Sequence, residues 1–155
     1  MIKLIQLKEI KKRKRIINTM KYDNNYHSVY KINYHIVFCV KYRRKVITDK
    51  ISERLKEIFL KICPKYKISL IEWEHDIDHI HLLISAAPVT ELSKFINAYK
   101  SASSRLIKKE FPAIKSALWK EDFWRRSFLV LSVGGANIET IKKYIQGQGG
   151  ENEKD

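Results

Sequence analysis

Residues 68–85 read Ile-Ser-Leu-Ile-Glu-Trp-Glu-His-Asp-Ile-Asp-His-Ile-His-Leu-Leu-Ile-Ser. Two apolar-rich runs, Ile68 to His75 and His79 to Ser85, flank the tight acidic segment Asp76-Ile77-Asp78, and this pattern predicts a β-hairpin. Alternation along the second run sends Ile80, Leu82 and Ile84 to one face and His79 and His81 to the other. Upstream, Ile51, Leu55, Ile58, Phe59 and Ile62 recur at helical spacing and Pro64 follows, so Asp49 to Ile62 reads as a helix. Before it, Ile32, Tyr34, Ile36, Phe38 and Val40 alternate with Asn33, His35, Val37, Cys39 and Lys41. That strand is apolar enough on both sides to be central. Downstream, Pro88 and Thr90 introduce a helix from Glu91 to about Glu110, closed by Pro112. Phe128 to Val133 reads as a fourth strand, broken by Gly134 and Gly135, and Asn137 is placed to cap a last helix through Gln148.

The order is β-α-β-β-α-β plus one terminal helix. This is the split βαβ, ferredoxin-like arrangement of the α+β class: an antiparallel sheet with helices on one face and the other face open to a ligand. Fold alone does not choose a function.

Composition narrows the choice. The chain has 155 residues, enough for one ordinary domain, and 31 Lys or Arg against 17 Asp or Glu give a net charge of +14. That excess fits a polyanion partner, nucleic acid above all. Met1 to Lys31 form a basic N-terminal extension with nine Lys or Arg and two acidic residues, half of the net charge, and read as a solvated arm or a short basic helix. Residues 32–150 form the expected domain, and 151–155 an acidic tail. No apolar run is long enough to span a membrane, and the N-terminus lacks the apolar core of a secretory signal. With only Cys39 and Cys63, too far apart for a CxxC pair, a reducing cytoplasm is the expected location. The first glycine is Gly134, which excludes the phosphate loops of P-loop and Rossmann proteins.

Three groups of residues can carry chemistry. His79 and His81, two apart on one strand face, suit two ligands of one metal ion, although a lone HxH pair also occurs as packing histidines. Tyr144 and Gln148, four apart, project from one face of the last helix. Cations interleaved with aromatic rings form the third group: Lys41, Tyr42, Arg43, Arg44 and Lys45; Lys100 and Arg105; Trp119, Phe123, Trp124, Arg125 and Arg126. They suit phosphate contacts and base stacking on single strands. Glu74 is a candidate second partner at the metal site: a two-residue turn sets it opposite His81, whereas a three-residue loop sets Trp73 there. Asp76 and Asp78 read as turn residues, and His35 and His75 as structural.

The segments Tyr34-His-Ile-Val-Phe-Cys-Val-Lys-Tyr-Arg-Arg-Lys-Val46, Asp78-His-Ile-His-Leu-Leu-Ile84, Tyr99-Lys-Ser-Ala-Ser-Ser-Arg105, Leu118-Trp119 and Lys143-Tyr-Ile-Gln-Gly-Gln148 occur in one order. Together they resemble the HUH-type single-tyrosine transposases, the TnpA type of the smallest bacterial and archaeal insertion sequences. The resemblance spans Ile32 to Gln148 and leaves out the basic extension.

It implies that Tyr144 attacks a DNA phosphate to form a 5′-phosphotyrosine and free a 3′-hydroxyl. It further implies that His79, His81 and Gln148 bind a divalent metal, Mg²⁺ or Mn²⁺. A phenol with pKa near 10 is a modest nucleophile and a good leaving group, so the bond energy is kept for rejoining. The implied substrates are single-stranded DNA hairpins at insertion-sequence ends, and the implied assembly is a homodimer with the tyrosine helix acting in trans. An HUH replication-initiator nickase or relaxase is a near alternative. A metal-independent ferredoxin-like ribonuclease and a non-catalytic RNA-binding module are the readings from other classes.

Overall fold

In the computed structural model, residues 23–24, 28–134, 142–143 and 145–147 are described. Tyr144, Gln148, Gly135, Asn137, residues 1–22 of the basic extension and the 151–155 tail lie outside the described residues. The chain divides into two compact units, residues 1–31 and 32–155. Within the first, β1 (Asp23–Asn24) and β2 (Val29–Tyr30) pair antiparallel.

The second unit opens with β3 (Asn33–Cys39), followed by helix α1 (Asp49–Ile62). Thr48 caps α1, its hydroxyl accepting from the Ile51 amide at 3.2 Å. The hairpin β4 (Ile68–His75) and β5 (His79–Ala86) comes next, then helix α2 (Leu92–Glu110) and β6 (Leu129–Val133). Strand order across the sheet is β4-β5-β3-β6, with every neighbouring pair antiparallel. Numbered within this unit that is 2-3-1-4, the expected ferredoxin-like order, and the expected central strand lies between its two neighbours. The terminal segment is helical at residues 142–143 and 145–147. Among the described residues, no helix is long and apolar enough to cross a membrane.

Alternation decides which side chains go where. Ile36 and Phe38 of β3, with Ile80, Leu82 and Ile84 of β5, are wholly buried among Leu55 and Phe59 of α1 and Phe95, Ile96 and Tyr99 of α2. Two indole donors tie sheet side to helix: Trp73 Nε1 donates to Ser52 Oγ at 3.0 Å, and Trp124 Nε1 to Ser103 Oγ at 2.9 Å. Both satisfy a buried polar atom that would otherwise cost about 1–3 kcal/mol. The opposite face holds a smaller cluster, in which Leu83, Val133 and Ile145 of the terminal helix are buried with Ile71 against them. The terminal helix therefore covers part of the open face of its own chain's sheet. Gln146 Nε2 adds a bond to Glu72 Oε2 at 3.2 Å.

One irregularity governs β4. Its register shifts between Leu70 and Glu72, leaving Ile71 as the extra residue of a bulge. Leu70 therefore shares the helix-covered face with Trp73 and His75, while Glu72 and Glu74 turn to the open face opposite Leu83 and His81.

Candidate active site

The hairpin closes with the two-residue turn Ile77-Asp78, as His75 pairs with Ile80 and Glu74 with His81. The Asp76 amide donates to the His79 carbonyl at 2.9 Å, and Asp76 Oδ1 accepts from the Ile77 amide at 2.6 Å. Residues 40–47 clasp this turn from the β3 side: the Val40 amide reaches the Asp78 carbonyl and the Ile47 amide the Ile77 carbonyl, each at 2.8 Å. The histidine-bearing end of β5 is thus fixed by backbone bonds before any side chain is counted.

His79 and His81 do share the open face, their ring centroids 4.9 Å apart. His79 Nδ1 lies 2.6 Å from Asp78 Oδ1. A carboxylate can only accept, so Nδ1 carries the proton and Nε2 keeps its lone pair in the neutral ring. Asp78 is held in turn by Arg43, Nε to Oδ2 at 2.9 Å. Burial pushes the Asp78 carboxyl up, but bonds from Arg43 and His79 outweigh it, so Asp78 titrates below its ordinary value. The same bond raises the Arg43 guanidinium.

His81 is held differently. It is buried, and its Nδ1 lies 3.1 Å from Nε2 of the buried His35 of β3. Burial, with the nearby charges of His79 and His35, brings His81 down to about 4, so the ring is neutral at physiological pH. With the shared proton on His81 Nδ1, the Nε2 of the neutral ring keeps its lone pair. Both rings thus have one nitrogen engaged from behind, the arrangement that orients metal-binding imidazoles.

The donor chemistry fits a divalent ion bound by two imidazoles. Among the described residues, however, no three His, Cys, Asp or Glu side chains gather as a metal site, and Glu74 stands opposite His81 without completing one. A divalent ion held by this pair would need further ligands, and Gln148 is outside the described residues.

The basic residues fall into two groups. Lys41, Arg43, Arg44 and Lys45 lie in the clasp beside the histidine turn, Lys41 paired with Asp122 at 2.5 Å. Lys100, Arg125 and Arg126 line one hollow of about 290 Å³, and Arg105, Lys108, Lys109 and Lys115 an adjoining one of about 480 Å³. Ser101 and Ser104 border both hollows, and Asp122 borders the first, so the two groups meet. Lys100 has a structural role as well: its ammonium bonds the Arg125 and Arg126 carbonyls, and burial lowers its pKa. Of the aromatic residues beside these cations, Phe123 and Trp124 belong to the core, whereas Tyr42 is exposed.

Sequence reasoning missed the supporting roles of His35, Asp78 and Arg43. The Asp78 signal was adjacency to His79. The His35 contact depends on the β3–β5 register, which single-strand periodicity does not give.

The model of the family "Transposase IS200 like" matches residues 28–148. The chain belongs to this family. The ISDra2 transposase TnpA of Deinococcus radiodurans is 36% identical over 120 residues, covering 77% of this chain and 86% of that protein. The transposase of insertion sequence element IS200 from Salmonella typhimurium is 32% identical over 122 residues, covering 79% and 80%. A solved Deinococcus radiodurans R1 transposase structure superposes with a TM-score of 0.66 at 32% identity, covering 83% of this chain and 99% of that one. A REP-associated tyrosine transposase bound to a REP hairpin shares the fold, with a TM-score of 0.59 at 12% identity over 79% of this chain and 70% of that one. This IS200-like transposase acts in DNA transposition, which decides against the ribonuclease and RNA-binding readings.

Proposed function

We propose that this transposase cuts and rejoins single-stranded DNA at the ends of its insertion sequence, using Tyr144 as nucleophile and a divalent ion held by His79, His81 and Gln148. The observation that carries this reading is the pair of imidazoles on one strand face, each with Nδ1 engaged from behind. The Tyr144 phenolic oxygen attacks phosphorus and loses its proton to solvent. The P–O3′ bond breaks, leaving a 5′-phosphotyrosine and a 3′-hydroxyl. Rejoining is the reverse attack by a 3′-hydroxyl with tyrosine leaving. Mg²⁺ or Mn²⁺, when bound, supplies charge to polarise the scissile phosphate. Lys41, Arg44, Lys45, Lys100, Arg105, Arg125 and Arg126 neutralise the DNA backbone, while Arg43 both faces it and steadies Asp78.

The substrate class is a single-stranded DNA hairpin near the element's end, and the compartment is the cytoplasm. The working form is a homodimer with a composite site, in which the terminal helix, packed on its own sheet in the single chain, passes to the partner's. Leu129 and Leu131, about half exposed on β6, support an interface there, since β6 is an edge of the sheet. Residues 32–150 are the catalytic domain and Met1 to Lys31 an additional basic arm.

The deciding experiment incubates the full chain with labelled single-stranded DNA from its element's ends. A covalent, protease-sensitive adduct should form, vanish in excess EDTA and be absent with Tyr144→Phe, whose DNA binding persists. Adduct formation by Tyr144→Phe would move the nucleophile elsewhere; undiminished cleavage in EDTA would remove the metal. For the trans arrangement, a Tyr144→Phe subunit mixed with a His79→Ala, His81→Ala subunit should recover partial cleavage. No recovery despite subunit exchange would place the whole site in one chain.

A further inference from the structure

The described residues include five non-glycine positions with positive φ, and four lie in two short turns that face each other. Tyr42 and Arg43 have φ of 53° and 50°; Lys120 and Glu121 have 48° and 59°. The left-handed region disfavours a residue with a Cβ, and such strain persists only where the surroundings enforce it. Here the turns are locked by backbone bonds on both sides of Val40, from Lys41 N to the Phe123 carbonyl and from Val40 N to the Asp78 carbonyl. A chain under pressure for stability alone would place Gly or Asn at such positions. This one holds a tyrosine there, 64% exposed.

What surrounds that tyrosine has the chemistry of a binding surface. The Tyr42 ring meets the half-buried Trp119 edge to face, centroids 5.2 Å apart. Lys41 Nζ and Lys120 Nζ lie over the Trp119 ring at 4.5 and 4.4 Å. Trp119 thus braces the tyrosine from one side and collects two ammonium groups beside it. The next residue, Arg43, grips Asp78, which grips His79. One three-residue turn therefore carries both an exposed aromatic face and the support of a candidate metal ligand.

We infer that Tyr42, braced by Trp119, is a stacking platform for one unpaired nucleobase of the DNA strand, with Lys41 and Lys120 beside it to meet the flanking phosphates. The inference rests on the single-stranded DNA reading above and deepens it: the base on Tyr42 sets where the strand lies relative to the histidine pair. Stacking on an aromatic face tolerates any base, so this site grips and registers the strand without reading its sequence.

The test separates base from phosphate. Binding of the full chain is measured by fluorescence anisotropy with labelled dT20 and with a 20-mer of abasic tetrahydrofuran units, which carries the same phosphates without bases. The wild-type chain should prefer dT20 by about tenfold. Tyr42→Gly, which removes the ring and relieves the left-handed backbone, should melt close to wild type yet lose most of that preference, while Tyr42→Phe keeps it. Lys120→Ala should weaken both probes equally and lower the salt slope by about one. No base preference in the wild type, or a preference unchanged in Tyr42→Gly, overturns the inference. Adduct formation run in parallel distinguishes the two readings: absence of a Tyr144-dependent adduct defeats the transposition chemistry without altering the dT20-to-abasic ratio.

Discussion

The two faces of β5 divide the labour of this molecule. Ile80, Leu82 and Ile84 on one face have no accessible surface and are packed by both helices. On the other, His79 and His81 are positioned by hydrogen bonds to Asp78 and His35, and Leu83 alone is packed as core. Successive residues of one strand therefore answer to different physics: apolar burial on the helix side, directed polar contacts on the open side. Apolar packing and directed polar contacts alternate with a period of two.

The sharpest way to break this comparison is to truncate neighbours. His81→Ala or His79→Ala should bring adduct formation below detection while moving the thermal midpoint by only about a few degrees. Leu82→Ala should cost about 2–5 kcal/mol of stability and reduce activity only in proportion to the folded fraction. Paired melting curves and adduct assays would show it; a His81→Ala chain that fails to fold would mean that this face is structural as well. Next in size are the residues behind the rings. Asp78→Asn should weaken divalent-metal binding, read by calorimetry, by about 10–100-fold. His35→Ala should fall in the same range, and Arg43→Ala below it, because Arg43 acts through Asp78. The smallest effect is a gain. Asn33 is buried with both side-chain polar atoms unpartnered. Asn33→Val should raise stability by about 1 kcal/mol in urea melts.

Most of the framework was legible because apolar periodicity is a local signal. Helix α1 spans the expected residues, α2 begins one residue later than expected, and the hairpin lies where its turn chemistry placed it. The edges of the site were less legible for identifiable reasons. Ile71 bulges out of β4, so strict alternation from Ile68 would have put Glu72 and Glu74 on the wrong face; only the turn length rescues Glu74. Arg43 reads as one cation among many until the fold sets it against Asp78. Trp119 and Trp124, five residues apart in one basic stretch, differ in fate because only Trp124 bridges to Val40 and enters the core.

The pairing of β3 between β5 and β6 has a consequence for the order of folding. The β4–β5 hairpin closes through a two-residue turn, a local event that sets His79 beside His81 early. Their supports arrive later, because His35 is separated from His81 by 46 residues and Arg43 from Asp78 by 35. Loop closure over those lengths must precede either contact. The histidine pair is therefore aimed only once β3 has closed on the hairpin, the same step that buries Ile36 and Phe38.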